Sequence, residues 1–191
     1  LAAAGADRTL RLYATSDGKL AASSAAGVGH QEAIQSLAFA ASGKELATAG
    51  ADGSVQIWDV AAKPLERLTV GVTGRLRSVA YSNDGGQLFV GGSSRAWQAF
   101  QRGTLQRTRH VEAHNDSLVK VAVSPSGSRL ATLDYQGHLA LWDVGSGNLL
   151  FHQQLPARPT LDLAYAPDGV ELAVAAADGR VVRVTIPPPV R

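Results

Sequence analysis

SLAFAASGKEL begins at Ser36, SVAYSNDGGQL at Ser78, KVAVSPSGSRL at Lys120 and DLAYAPDGVEL at Asp162, each 42 residues after the last (78 − 36 = 42). A second series keeps the same step: LATAGADGSVQIWDV from Leu46, LFVGGSSRAWQAFQ from Leu88, LATLDYQGHLALWDV from Leu130 and LAVAAADGRVVRVTI from Leu172. LAAAGADRTLRLY at Leu1 stands 45 residues before Leu46. A period held through four units restricts the chain to a repeat architecture. Each unit is one small module whose apolar faces are buried only by its neighbours.

Within a unit the pattern reads as four short strands. The first alternates at period two, as in Leu37/Phe39, Val79/Tyr81, Val121/Val123 and Leu163/Tyr165. A turn of Ser, Pro, Asn, Asp and Gly follows (AASGK, SNDGG, SPSGS, APDGV). The second strand is small and apolar, and a turn containing ADG in two units leads into the third (SVQIWDV, HLALWDV). The fourth is more polar, as suits an outer edge. No window carries a sustained helical period, so the expected class is all-β.

Composition supports this. The chain is 45% apolar and 18% charged, ordinary for a globular protein. No apolar run approaches the roughly 20 residues of a membrane-spanning helix, so no membrane partner is expected. With no cysteine there is no thiolate ligand, no thiol nucleophile and no disulfide. That fits a reducing compartment such as the cytoplasm, while a leader upstream of Leu1 would place the chain in a periplasm instead.

A unit of 42 residues and four strands, with Trp-Asp closing the third, resembles the WD-repeat (WD40) family of β-propellers over essentially the whole chain. The resemblance implies a structural tetrad of His, Ser/Thr, Asp and Trp. In the second unit these fall on His30, Thr48, Asp52 and Trp58, with Gly29 completing the Gly-His pair. In the fourth, His114, Thr132 and Trp142 match, while Gln136 stands where the Asp is expected. The third offers Val72, Val90, Ser94 and Phe100, and the fifth has Asp178 but Val184 in place of Trp. The expected layout is one incomplete propeller with a partial blade at 1–29, full blades at 30–71, 72–113 and 114–155, a partial blade at 156–186 and a proline-rich tail at 187–191. Seven blades, the usual closure for the family, would take about 290 residues, so the layout reads as an open arc, a fragment of a longer, bacterial-style propeller.

Candidate chemistry is sparse. His110, Glu112 and His114 alternate in HVEAH and could ligate zinc, but His114 is already claimed by the tetrad. Asp52, Asp59, Asp143, Asp168 and Asp178 recur in turns, which argues for capping rather than acid–base work. No phosphate loop, dinucleotide fingerprint or nucleophile elbow occurs, and the innermost strands offer a channel poor in ligands. No catalytic residue, metal or cofactor is expected. Trp97, aligned with Val55, reads as core. Arg67, Arg75, Arg77, Arg95, Arg102, Arg107 and Arg109 face only Asp84 between residues 67 and 109, a focus that could steer an acidic partner or nucleic acid, although a solvated outer rim is the favoured reading.

The resemblance places partner contacts around the top face, just before the first strands and before the turn Asp. The residues there are Gln35, Arg75, Arg77 and Tyr135. The leading expectation is a non-catalytic scaffold that contacts other proteins or neighbouring domains of its own chain, with nucleic acid disfavoured. Two alternatives stand beside it: the propeller domain of an enzyme with a metal or cofactor in its channel, and an acidic-partner or nucleic-acid binder acting through the arginine-rich third blade.

Overall fold

The computed structural model describes residues 1–24, 28–62, 67–72, 74–112 and 114–187. All regular structure among them is β-strand, in five antiparallel sheets. Sheet 1 holds β1 (Ala2–Ala3), β2 (Arg11–Tyr13) and β3 (Leu20–Ser23). Sheet 2 holds β4 (Ile34–Phe39), β5 (Glu45–Gly50), β6 (Ser54–Asp59) and β7 (Arg67–Gly71). Sheet 3 holds β8 (Leu76–Tyr81), β9 (Gln87–Gly92), β10 (Ala96–Gln101) and β11 (Arg107–Glu112). Sheet 4 holds β12 (Leu118–Val123), β13 (Arg129–Asp134), β14 (His138–Asp143) and β15 (Leu149–Gln154). Sheet 5 holds β16 (Thr160–Tyr165), β17 (Glu171–Ala176) and β18 (Val181–Thr185). Each sheet is a meander in chain order, and the proline-rich stretch beyond residue 187 lies outside the described residues.

The sheets stand side by side as an open arc of propeller blades, with β4, β8, β12 and β16 adjacent along its inner edge. Burial follows the seams. Leu10, Leu12, Leu46 and Trp58 close the first. Val55, Ile57, Leu76, Val79 and Phe100 lie in the second. Phe89, Trp97, Leu118 and Trp142 fill the third, and Leu133, Leu141, Leu163 and Val174 the fourth. Trp97 is fully buried and meets Trp142 edge-on, ring centroids 5.8 Å apart. Where β5 and β9 run under a neighbour they carry Ala47 and Ala49, or Gly91, whose missing side chain leaves room for Leu118 and Val121.

A second device ties the inner strands together. At the register shift of each inner strand, the Ser36 hydroxyl accepts from Val79 N–H at 3.2 Å, and Ser78 accepts from Val121 N–H at 3.1 Å. The next position in the series is Lys120, whose ammonium reaches Asp162 of sheet 5 at 2.9 Å. One step of the repeat replaces a hydroxyl staple with an ion pair and keeps the tie.

Candidate interaction face and the networks beneath it

In sheet 2 the four tetrad side chains form one relay. Trp58 Nε1–H donates to Thr48 Oγ1 at 2.8 Å, and Thr48 Oγ1 lies 2.8 Å from His30 Nε2. The Asp52 carboxylate can only accept, so His30 carries its proton on Nδ1, and the Thr48 hydroxyl, which accepts from the indole, donates to the bare Nε2. His30 Nδ1–H donates to Asp52 Oδ1, 3.1 Å away. Asp52 also accepts from Gln31 N–H at 2.6 Å and from the amide and hydroxyl of Ser54 at 3.0 and 2.8 Å. Burial pushes the Asp52 carboxyl up. The donors from Gln31, His30 and Ser54 outweigh it and hold the group below the ordinary carboxylate value.

Two glycines make room for this relay. Gly29 sits at φ +123°, and a β-carbon there would lie 3.1 Å from the Trp58 ring. A β-carbon on Gly50 would lie 2.2 Å from His30 Nδ1 and 2.4 Å from Asp52 Oδ1.

Sheet 4 keeps the relay but moves its carboxylate. Trp142 Nε1–H donates to Thr132 Oγ1 at 2.8 Å, and His114 Nε2 meets the same oxygen at 2.8 Å. Alignment puts Gln136 in the Asp slot, and only its backbone takes part. The carboxylate comes from Asp134, which occupies the position of Gly50 (134 − 84 = 50) and is fully buried. Its Oδ1 accepts from the amides of Gln136 and His138 at 3.0 and 2.9 Å. Its Oδ2 lies 3.0 Å from His138 Nδ1. His114 Nδ1 is 3.3 Å from Oδ2 but off the hydrogen-bond line, without another partner among the described residues. Burial raises Asp134, and the His114 imidazole, the His138 amide and both imidazoles' charge outweigh it, so this carboxyl too is held below its ordinary value. Sheet 3 has no relay: Val90 and Phe100 fill the slot with apolar contact. Sheet 5 does the same with Val174 and Val184.

The recurring turn aspartates cap their turns. Asp59 accepts from Ala61 N–H at 2.8 Å, Asp143 from Ser146 N–H at 2.7 Å, Asp168 from Val170 N–H at 3.0 Å and Asp178 from Arg180 N–H at 3.0 Å. HVEAH does not converge. His110 and Glu112 lie on β11 opposite Gln98 and Ala96, while His114 is spent on Thr132. Among the described residues no group of three His, Asp or Glu is placed to hold a metal ion.

The arginines disperse. Arg102 pairs with Glu45 across the seam, Arg75 with Glu32 at 2.5 Å, and Arg107 reaches Gln98 Oε1 at 3.3 Å. Arg109 donates to the carbonyls of Val144 and Gly145 of the next sheet at 2.9 and 2.8 Å. These four arginines thus meet different partners rather than one common one.

One end of the arc is defined by a bond repeated in four sheets. Ala51 N–H donates to Ala33 O, Ser93 to Arg75 O, Tyr135 to Ser117 O and Ala177 to Pro159 O, at 2.9, 2.9, 3.0 and 2.9 Å. The structure therefore places Gln35, Arg75, Arg77 and Tyr135 on the same rim, all exposed. Arg75 directly precedes β8, and Arg77 is its second residue rather than lying before it, because β8 begins at Leu76. Gln35, Arg75 and Arg77 line one cleft of about 240 Å³ with Ala51, Leu76 and Ser93. Tyr135 lies on the next sheet, where its carbonyl accepts from Thr160 N–H of sheet 5 at 3.1 Å. Leu161, the counterpart of Gln35 and Arg77 in sheet 5, is 54% exposed on the same rim. Its period-42 register was legible, although it was not among the candidates.

Five meanders of this period with a His–Thr–Trp relay define a WD-repeat β-propeller. Residues 22–59 and 104–143 match the family model of the WD domain, G-beta repeat, and the chain belongs to the WD-repeat proteins. It is 25% identical over 154 residues to the target of rapamycin complex subunit LST8 of Mus musculus, covering 76% of this chain and 47% of that protein. It is 30% identical over 153 residues to the WD repeat-containing protein SL1-17 of Schistosoma mansoni, covering 80% and 50%. It is 26% identical over 149 residues to the uncharacterized WD repeat-containing protein sll1491 of Synechocystis, covering 78% and 42%. The chain spans half or less of the length of these relatives.

Proposed function

We propose that this propeller is a non-catalytic scaffold that binds other proteins, or neighbouring domains of its own chain, through the rim bearing Gln35, Arg75, Arg77 and Tyr135. One observation carries the reading. His30, Thr48, Asp52, Thr132, Asp134, Ser36 and Ser78 are committed to relays and staples inside the blades, whereas the rim side chains are exposed and largely uncommitted. Arg75 has an exposed ion pair with Glu32, and Gln35, Arg77 and Tyr135 make no side-chain hydrogen bond among the described residues. Exposed ion pairs contribute little to stability, so these residues are available for contact. The LST8 relatives, named as subunits of a complex, support a role in assembly.

The test is to isolate the protein with its bound partners from its native source, alongside an Arg77→Glu/Tyr135→Ala double variant whose circular dichroism and melting match the parent. Loss of specific partners from the variant supports the rim as the contact surface. Partners retained at parental stoichiometry overturn it.

A further inference from the structure

On the reading that this rim is the contact face, we infer that its partner presents an acidic linear segment with a large apolar side chain beside the carboxylates. The rim has two unlike halves, and the repeat shows where they divide. The positions equivalent to Gln35 are Arg77, Val119 and Leu161, and those equivalent to Ala51 are Ser93, Tyr135 and Ala177. Over sheets 2 and 3 these are an amide, a guanidinium and a hydroxyl around the 240 Å³ cleft. Over sheets 4 and 5 they are Val119, Tyr135 and Leu161, with Tyr135 40% and Leu161 54% exposed.

Charge then sets the sign of the partner. Of the rim carboxylates, Glu32 pairs with Arg75, and Asp116 Oδ1 accepts from Ser117 N–H at 2.6 Å, a contact that fixes its turn and leaves its charge in place on the sheet 4 side. Arg77 has no ion-pair partner among the described residues. It is a permanent positive charge on a cleft whose lining also holds the Gln35 amide and the Ser93 hydroxyl. A carboxylate there would gain a charge-assisted contact and take nothing from the fold. A basic segment would face Arg77 with no carboxylate paired to it among the described residues. Seating a carboxylate at Arg77 lets an extended chain run on across sheets 4 and 5, where Tyr135 and Leu161 offer a rigid aromatic and an aliphatic surface. Aromatic and arginine side chains of this kind carry most of the energy at protein interfaces.

The experiment is to probe the full chain with an array of random octapeptides, then to measure affinities of the enriched peptides for the parent, Arg77→Glu, Arg77→Lys, Tyr135→Ala and Leu161→Ser. Peptides that pair Asp or Glu with Leu, Phe, Tyr or Trp are expected. Arg77→Glu and Tyr135→Ala should each weaken them about tenfold or more, Arg77→Lys should largely retain them, and added salt should weaken the parent but not Arg77→Glu. Enrichment of basic or uncharged peptides that Arg77→Glu or Tyr135→Ala abolishes overturns the partner class and leaves the contact face standing. Acidic, apolar peptides indifferent to all four substitutions overturn both. An array with no enrichment overturns the linear-segment inference, while the contact face is judged by the partner-loss experiment.

Discussion

In sheet 2 the carboxylate that meets the imidazole hangs from the turn. In sheet 4 it hangs from the end of the second strand, two residues earlier. Gly50 permits the first arrangement, because any β-carbon there would collide with His30 and Asp52. Asp134 at the equivalent position fills that space with the carboxylate itself. The consequence is sharp. Asp134→Ala should cost about 2–3 kcal/mol, because it strips three donors of their acceptor inside the blade. Gln136→Ala should stay within about 0.5 kcal/mol, although alignment nominates Gln136 as the network residue. Urea denaturation of the two variants decides between them, and a costly Gln136→Ala would refute the relocation. Acid gives a second check. Both Asp52 and Asp134 have folded-state values below the ordinary one, so their contribution is present above about pH 4 and is lost as pH falls through the folded value. Asp134→Asn should therefore be clearly less stable than the parent near neutral pH, and the gap should shrink at about pH 3 and below. A gap that widens in acid would reverse the assignment.

Strands and their ties are the next scale, and here sequence and structure divide according to what each interaction depends on. Strand order, turn positions and the His30–Thr48–Asp52–Trp58 set were legible, because each is fixed by residue type at a constant spacing. The relocated Asp134 was not, because it sits outside the aligned slot and only the geometry of the β13 end brings it to His114. Nor were the fates of Arg102 and Arg109, whose partners lie in another blade at separations the repeat does not encode. The Ser36 and Ser78 staples were visible only as hydroxyls on inner strands until their 43-residue reach to Val79 and Val121 was seen. Ser78 is fully buried and Ser36 only partly so, which ranks their substitutions. Ser78→Ala should leave Val121 N–H without its acceptor and cost about 1–3 kcal/mol, and Ser36→Ala should cost less because Ser36 is only partly buried and water can take the place of its hydroxyl. Amide exchange reads this directly, with Val121 accelerating far more in the first variant than Val79 in the second. Equal acceleration would deny the staples a burial-dependent role.

Across the whole molecule, each blade touches only its neighbours, so stability is close to a sum of blade terms and seam terms. The seams are alike in burial and differ in their ties and in what lies beyond them. The two flanking sheet 3 bury Leu76, Leu88, Phe89, Trp97, Leu118 and Leu130 completely or nearly so, and they carry both serine staples. The face of sheet 5 turned away from sheet 4 leaves Val181 67% exposed, and β1 contributes two residues to sheet 1. A chain built this way should open from its flanks inward rather than all at once. Native-state hydrogen exchange of the monomeric chain should show the greatest protection on β9, β10 and β13, intermediate protection on β5 and β17, and the least on β1, β3 and β18. Truncating Trp97 to Ala should lower protection in sheets 3 and 4 together, since the ring packs against Phe89 in one and Trp142 in the other, and leave sheet 1 near its original rates. Uniform protection from β1 to β18 would contradict a nearest-neighbour arc and show that the exposed blade faces are covered in solution.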